Sequence, residues 1–83
     1  MVNKLKKFRK EIDKVDAKIA GLLDKRAEIV KKVGKEKKRL KITVVNASRE
    51  KEVLKRVSAG RKNKRYIKSC FIGIIKESRN IQK

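Results

Sequence analysis

The stretch FRKEIDKVDAKIAGLLDKRAEIVKKVGKEK, Phe8 to Lys37, decides how this chain folds. Its apolar residues recur at steps of three and four: Phe8, Ile12, Val15, Ile19, Leu22, Ile29 and Val33. Leu5 extends the series backward and Leu40 extends it forward. That spacing marks one face of a helix. Gly21 and Gly34 each cost about 1 kcal/mol against alanine in a helix interior. The periodicity nevertheless runs through both. It predicts one helix from about Asn3 to Lys38 or a little beyond, with Asn3 as its N-cap. At ~1.5 Å per residue such a helix is roughly 50 Å long. One chain of this size cannot cover it, whereas a partner chain could.

Two positions on that face are basic. Arg26 falls where the next apolar residue belongs, and Lys37 precedes Leu40. They are eleven residues apart, almost three whole turns, so they share a face. Cations on a face otherwise suited to burial need a carboxylate partner or an anionic ligand.

Composition narrows the rest. The chain has 83 residues, which suggests one domain over 1–83 and makes oligomerisation an expectation. There is no proline and there are only four glycines, a composition of long helices. With no histidine, Cys–His and Ser–His catalysis and histidine metal sites are excluded. The lone Cys70 cannot form an internal disulfide. It sits on an apolar stripe with Ile67, Phe71 and Ile74 and reads as a small buried hydrophobe. The opening MVNKLKKFRK lacks the apolar core of a signal peptide, and no stretch approaches the ~20 apolar residues of a membrane span. A reduced, cytoplasmic setting is the expectation.

There are 28 basic and 9 acidic residues, a formal charge of +19. Such a balance attracts polyanions. Most lysines, such as Lys10, Lys14, Lys18, Lys25 and Lys31, fall outside the apolar seam and read as a solvated face. Aromatics are too scarce for a single-strand stacking platform, so nucleic-acid binding is expected to be at most non-specific.

Beyond the long helix, KITVVNA, Lys41 to Ala47, is a break rich in β-branched residues. Asn46 or Ser48 can cap a second helix, about Ser48 to Ala59, with Val53, Leu54 and Val57 on its apolar side and Gly60 as its stop. RKNKR, Arg61 to Arg65, reads as a short basic connection. A third helix runs from about Tyr66 to Ile81, with Ile67, Cys70, Phe71, Ile74 and Ile75 inward. Its stripe continues into Ser78 and Gln82, again polar groups on the inner face.

Arg26, Lys37, Ser78 and Gln82 thus interrupt the apolar faces. Arg49 and Glu50 stand in the first turn of the second helix, where free N–H groups favour anions. The set is cationic and rich in hydrogen-bond donors, with one carboxylate and no evident nucleophile. It suits a small, multiply anionic molecule, with any catalysis by positioning and electrostatics. Taken singly, each residue also reads as an ordinary surface charge, a snorkelling side chain or a fraying helix end.

Phe8 to Lys37 resembles the first helix of the all-helical (AroQ-type) chorismate mutases. SREKEVLKR, Ser48 to Arg56, resembles their second helix, and FIGIIKESRNIQ, Phe71 to Gln82, their last. The resemblance implies an all-α fold of three helices forming an intertwined homodimer. It implies the Claisen rearrangement of chorismate to prephenate, in phenylalanine and tyrosine biosynthesis, without metal or cofactor. It also implies roles. Arg9 and Arg26 would bind the two substrate carboxylates, one arginine coming from the other subunit. Lys37 and Gln82 would donate to the ether oxygen. Arg49 would order the Lys37 region, Glu50 would accept from the ring hydroxyl, and Ser78 would support a carboxylate or that hydroxyl. VNASRE, Val45 to Glu50, departs from the Asp-Pro segment common in the family, and the second connection is several residues shorter.

The spacing of these arginines supports a two-chain site. Arg9 and Arg26 are 17 residues apart in the sequence, roughly 25 Å along one helix. One helix cannot bring both to one small molecule, whereas two antiparallel first helices can. Two other readings remain beside the mutase: an isochorismate-pyruvate lyase of the same fold, and a non-enzymatic basic module that binds polyanions.

Overall fold

The protein is described by a computed structural model that covers residues 2–83. It contains α1 (Val2–Leu40), α2 (Ala47–Ser58) and α3 (Lys64–Gln82), with no strand among the described residues. Helix α1 passes unbroken through Gly21 and Gly34, as its periodicity requires. It begins before Asn3, so that residue lies inside the helix and does not cap it. Its 39 residues span about 58 Å at the standard rise. The chain's longest extent is also 58 Å, so α1 sets the length of the molecule. The radius of gyration, 16.3 Å, exceeds the roughly 12 Å of a compact chain this long.

A hydrogen-bonded reversal ends α1. The Ile42 N–H donates to the Lys37 carbonyl at 2.8 Å and the Lys41 N–H donates to the Lys38 carbonyl at 3.2 Å. This is the Schellman pattern, which places its pivot residue in left-handed backbone. That pivot is Lys41, with φ 56°. Asn46 caps α2 by accepting the Arg49 N–H at 3.1 Å, as its position suggested. Gly60, at φ 71°, follows the end of α2 and supplies the left-handed turn there. Helix α3 starts two residues before Tyr66, so RKNKR is partly helical.

Helix α3 packs on both other helices. Its contact with α1 is closest where Gly34 meets Gln82. A Cβ placed on Gly34 would stand 3.0 Å from the Gln82 Cα and 3.2 Å from its Cβ. Glycine therefore sets how near α3 approaches the far end of α1. Val30 and Ile75 are the buried apolar side chains, while Val53, Leu54, Val57, Ile67, Phe71 and Ile74 are half-buried. This is a small core for a chain of this length.

The rest of the seam has no cover within the chain. Leu5, Phe8, Ile12, Val15, Ile19 and Leu22 are 47–67% exposed and form a continuous apolar strip. Cys70 also departs from expectation, because it is exposed in this chain. The inner face of α3 is centred on Ile75 and Ser78. Cys70 instead borders an open groove with Leu23, Ala27 and Ile74.

Two kinds of substitution test these backbone features. Lys41→Gly removes the side-chain cost of the left-handed pivot and should raise the thermal midpoint, for a gain of up to about 1 kcal/mol. Glycine-to-alanine changes within α1 should have opposite signs. Gly21, with open space around it, should gain about 1 kcal/mol on becoming alanine, whereas Gly34→Ala should lower the midpoint by pushing on α3 backbone. Thermal melts followed by circular dichroism read all three.

Candidate active site

The last four turns of α1, the N-terminal end of α2 and the last two turns of α3 line a cavity of about 260 Å³. Ile29, Val30, Val33, Val53 and Ile75 make its apolar wall. Arg26, Lys37, Asn46, Arg49, Glu50, Ser78, Arg79 and Gln82 bring polar groups to it. The volume lies near the small end of ligand pockets, which run from roughly 300 Å³ upward. The fold therefore gathers six of the seven residues expected from the sequence. The seventh, Arg9, lies on the exposed N-terminal part of α1, and this chain does not bring it to the cavity.

Arg26 comes from α1 and donates through its guanidinium to the Ser78 hydroxyl on α3. Ser78 is buried and in turn donates to the Ile74 carbonyl at 2.7 Å. The hydroxyl thus serves as both acceptor and donor and fixes the direction of the arginine. Only one of the five N–H groups of Arg26 is used there, which leaves donors for an anion. Lys37 donates to the Val44 carbonyl at 2.7 Å, so the break after α1 folds back to hold its ammonium. Two of its three protons remain.

Gln82 sits against Gly34 at the other end of the cavity. Its Nε2 donates to the Ser78 carbonyl at 3.1 Å, while its buried Oε1 has no partner. One amide N–H and the carbonyl oxygen therefore remain uncommitted. A buried polar atom without a partner is costly, and Gln82 lines the cavity, where a bound molecule can supply one. Arg49 stands at the rim, where its guanidinium pairs with Glu52 of its own helix at 2.5 Å. It is more exposed than its expected ordering role implied.

Glu50 has a stronger partner than its sequence neighbours offer. The Arg79 guanidinium grips its carboxylate with both oxygens engaged, Nε donating to Oε2 at 2.8 Å and a second nitrogen donating to Oε1. This hydrogen bonding holds the Glu50 carboxyl below the usual carboxylate range. The charges of Arg79 and Lys37 act in the same direction, and burial opposes them. The Glu50 and Arg79 side chains are 21% and 39% exposed, so water screens the pair and it orients the carboxylate more than it stabilises the fold.

Arg79 was not among the expected site residues, although the sequence carries a signal for it. Glu50 has no basic residue three or four positions away on its helix, and Arg79 has no acidic one. Any ion pair that either makes must therefore reach beyond its own helix.

Comparison with known proteins agrees with this geometry. The family described as chorismate mutase type II matches residues 8–83, which include every residue of the cavity. The bifunctional chorismate mutase/prephenate dehydratase of Aquifex aeolicus (strain VF5) is 34% identical over 56 residues. That alignment covers 68% of this chain and 16% of the relative, so the chain spans only a small part of that protein's length. No solved structure matches significantly. A match across nearly the whole chain and a three-helix fold gathering the expected polar residues lead to one conclusion: the chain belongs to the chorismate mutase type II family.

Proposed function

We propose that this protein is a chorismate mutase that converts chorismate to prephenate for aromatic amino-acid biosynthesis, acting in the cytoplasm as a single-domain homodimer. The observation that carries the reading is the convergence of Arg26, Lys37, Glu50, Ser78 and Gln82 from three helices on one small cavity. The reaction is an intramolecular rearrangement in which one C–O bond breaks as one C–C bond forms. It needs no proton transfer and no covalent intermediate. What the protein must supply is a fixed substrate conformation and donors placed where charge develops.

The residues divide between those two tasks. Arg26, oriented by Ser78, binds one carboxylate of the dicarboxylate substrate, with a geometry suited to a planar anion. Lys37 and Gln82 keep spare protons for the ether oxygen, which gains negative charge as its bond to carbon lengthens. Such donors are often worth ~3 kcal/mol each in the transition state. Glu50 accepts from the ring hydroxyl at the α2 side. The apolar wall formed by Val30, Val33 and Ile75 excludes water from the ring.

The second carboxylate needs a further cation, and Arg9 is the residue we assign to it. About 25 Å of helix separates Arg9 from Arg26, so it must come from another copy. The exposed strip from Leu5 to Leu22 supplies the face on which a second α1 would lie, antiparallel to the first. Two identical strips meeting about a two-fold axis give two equivalent sites.

Chorismate incubated with the purified chain should yield prephenate without added metal or cofactor, read by loss of chorismate absorbance. Lys37→Ala and Gln82→Ala should each lower kcat by about 10²–10³ with the helical spectrum unchanged. A folded protein with no rate above buffer would refute the mutase reading.

Mixing inactive variants tests the shared site. Arg9→Ala and Arg26→Ala should each be nearly inactive alone. In a mixed dimer, one site draws Arg26 from the first variant and Arg9 from the second, and is intact. Random re-pairing should restore about a quarter of wild-type activity. No recovery, with heterodimers confirmed by native mass spectrometry, would refute a site shared between the two chains.

A further inference from the structure

Arg79 is the cavity residue that the reaction has not yet used. It reaches from α3 to a carboxylate 29 positions earlier on α2, and it binds with a fork rather than a point charge. An arginine fork fixes both oxygens of a carboxylate in one plane. With one lone pair of each oxygen occupied, the remaining lone pairs have set directions. We propose that Arg79 is a positioning residue that clamps Glu50 so that its free lone pairs face the substrate's ring hydroxyl. The assignment rests on the mutase reading, because that reading gives Glu50 its task.

The surroundings of Glu50 support this role. From α3 it faces Arg79, and from α1 it is across the cavity from Lys37 and Arg26. On its own helix the neighbouring Arg49 is committed to Glu52. Among the described residues, Arg79 alone forms an ion pair with Glu50. Lys37 is held by the Val44 carbonyl and Arg26 by Ser78. Removing Arg79 therefore leaves Glu50 half-buried with only distant cations. Its folded pKa, now below the ordinary value, would rise. The carboxylate would then take up a proton as the pH falls through a range where the wild-type side chain remains charged. A protonated or rotated Glu50 accepts the hydroxyl poorly.

The clamp also has a structural consequence. The connection between α2 and α3 is only five residues, 59–63. The Glu50–Arg79 pair ties the opposite ends of those helices, beside Ser78 and Gln82. Arg79→Met keeps most of the aliphatic volume and removes the fork, while Arg79→Lys keeps the charge and removes the fork.

The test is a carboxyl-carbon NMR titration of protein labelled at glutamate, with Glu50→Gln used to assign the Glu50 signal. It is paired with kcat/KM for chorismate from pH 4 to 8. In Arg79→Met, the Glu50 midpoint should rise, and the acid limb of kcat/KM should move up with it. At neutral pH the rate should fall roughly ten- to a hundredfold, the scale of a misplaced group. Arg79→Lys should restore most of the midpoint but little of the rate. An unshifted Glu50 midpoint, or a shifted midpoint with a wild-type rate profile, would overturn the proposal. If the wild type is inert on chorismate, the mutase reading fails and the positioning role fails with it, while the titration still reports whether the ion pair exists.

Discussion

Helix α1 is longer than the rest of its own chain can cover, and the other features of the structure follow from that constraint. Helix α3 packs only on the C-terminal half of α1, with α2 facing it across the cavity, and there Val30 and Gly34 become buried. There the close approach at Gly34 brings Gln82 down onto α1 and sets one end of the cavity. The N-terminal half keeps its apolar strip open to solvent. Burying such a strip stabilises by about 25 cal/mol per Å² of apolar surface, which over six large side chains outweighs any surface ion pair here. The strip and the site are consecutive stretches of one helix face, so what joins two chains would also complete the pocket.

Within that frame the polar groups are held before any ligand arrives. Ser78 directs Arg26, Val44 holds Lys37, and Arg79 grips Glu50. Each anchor leaves donors or lone pairs unspent. Preorganised groups need little rearrangement when charge develops, which is how electrostatic catalysis gains over water. The unpartnered Oε1 of Gln82 is the one orphan among these groups, and it belongs to a residue that lines the cavity.

The three-helix plan was legible because the 3.6-residue period of α1 survives two glycines and two cations, and because Asn46 and Gly60 mark the ends of α2. Six of the cavity residues were legible as breaks in apolar faces or as a charged first turn. Arg79 carried only the faint sign that it has no acidic neighbour on its own helix, and a residue beside the inner stripe looks like any surface arginine until its partner 29 positions away is known. The exposure of Cys70 was hidden for a related reason. Periodicity gives the apolar side of α3, but the tilt against α1 and α2 chooses which edge of that side is covered. The Lys41 pivot was also obscured, because left-handed backbone usually selects glycine or asparagine.

The central claim is that the uncovered face of α1 pairs two chains and so completes the site. Sedimentation equilibrium at micromolar concentration measures this directly. The account predicts a single species of twice the 9.6 kDa chain mass. A 9.6 kDa monomer that converts chorismate to prephenate would contradict it.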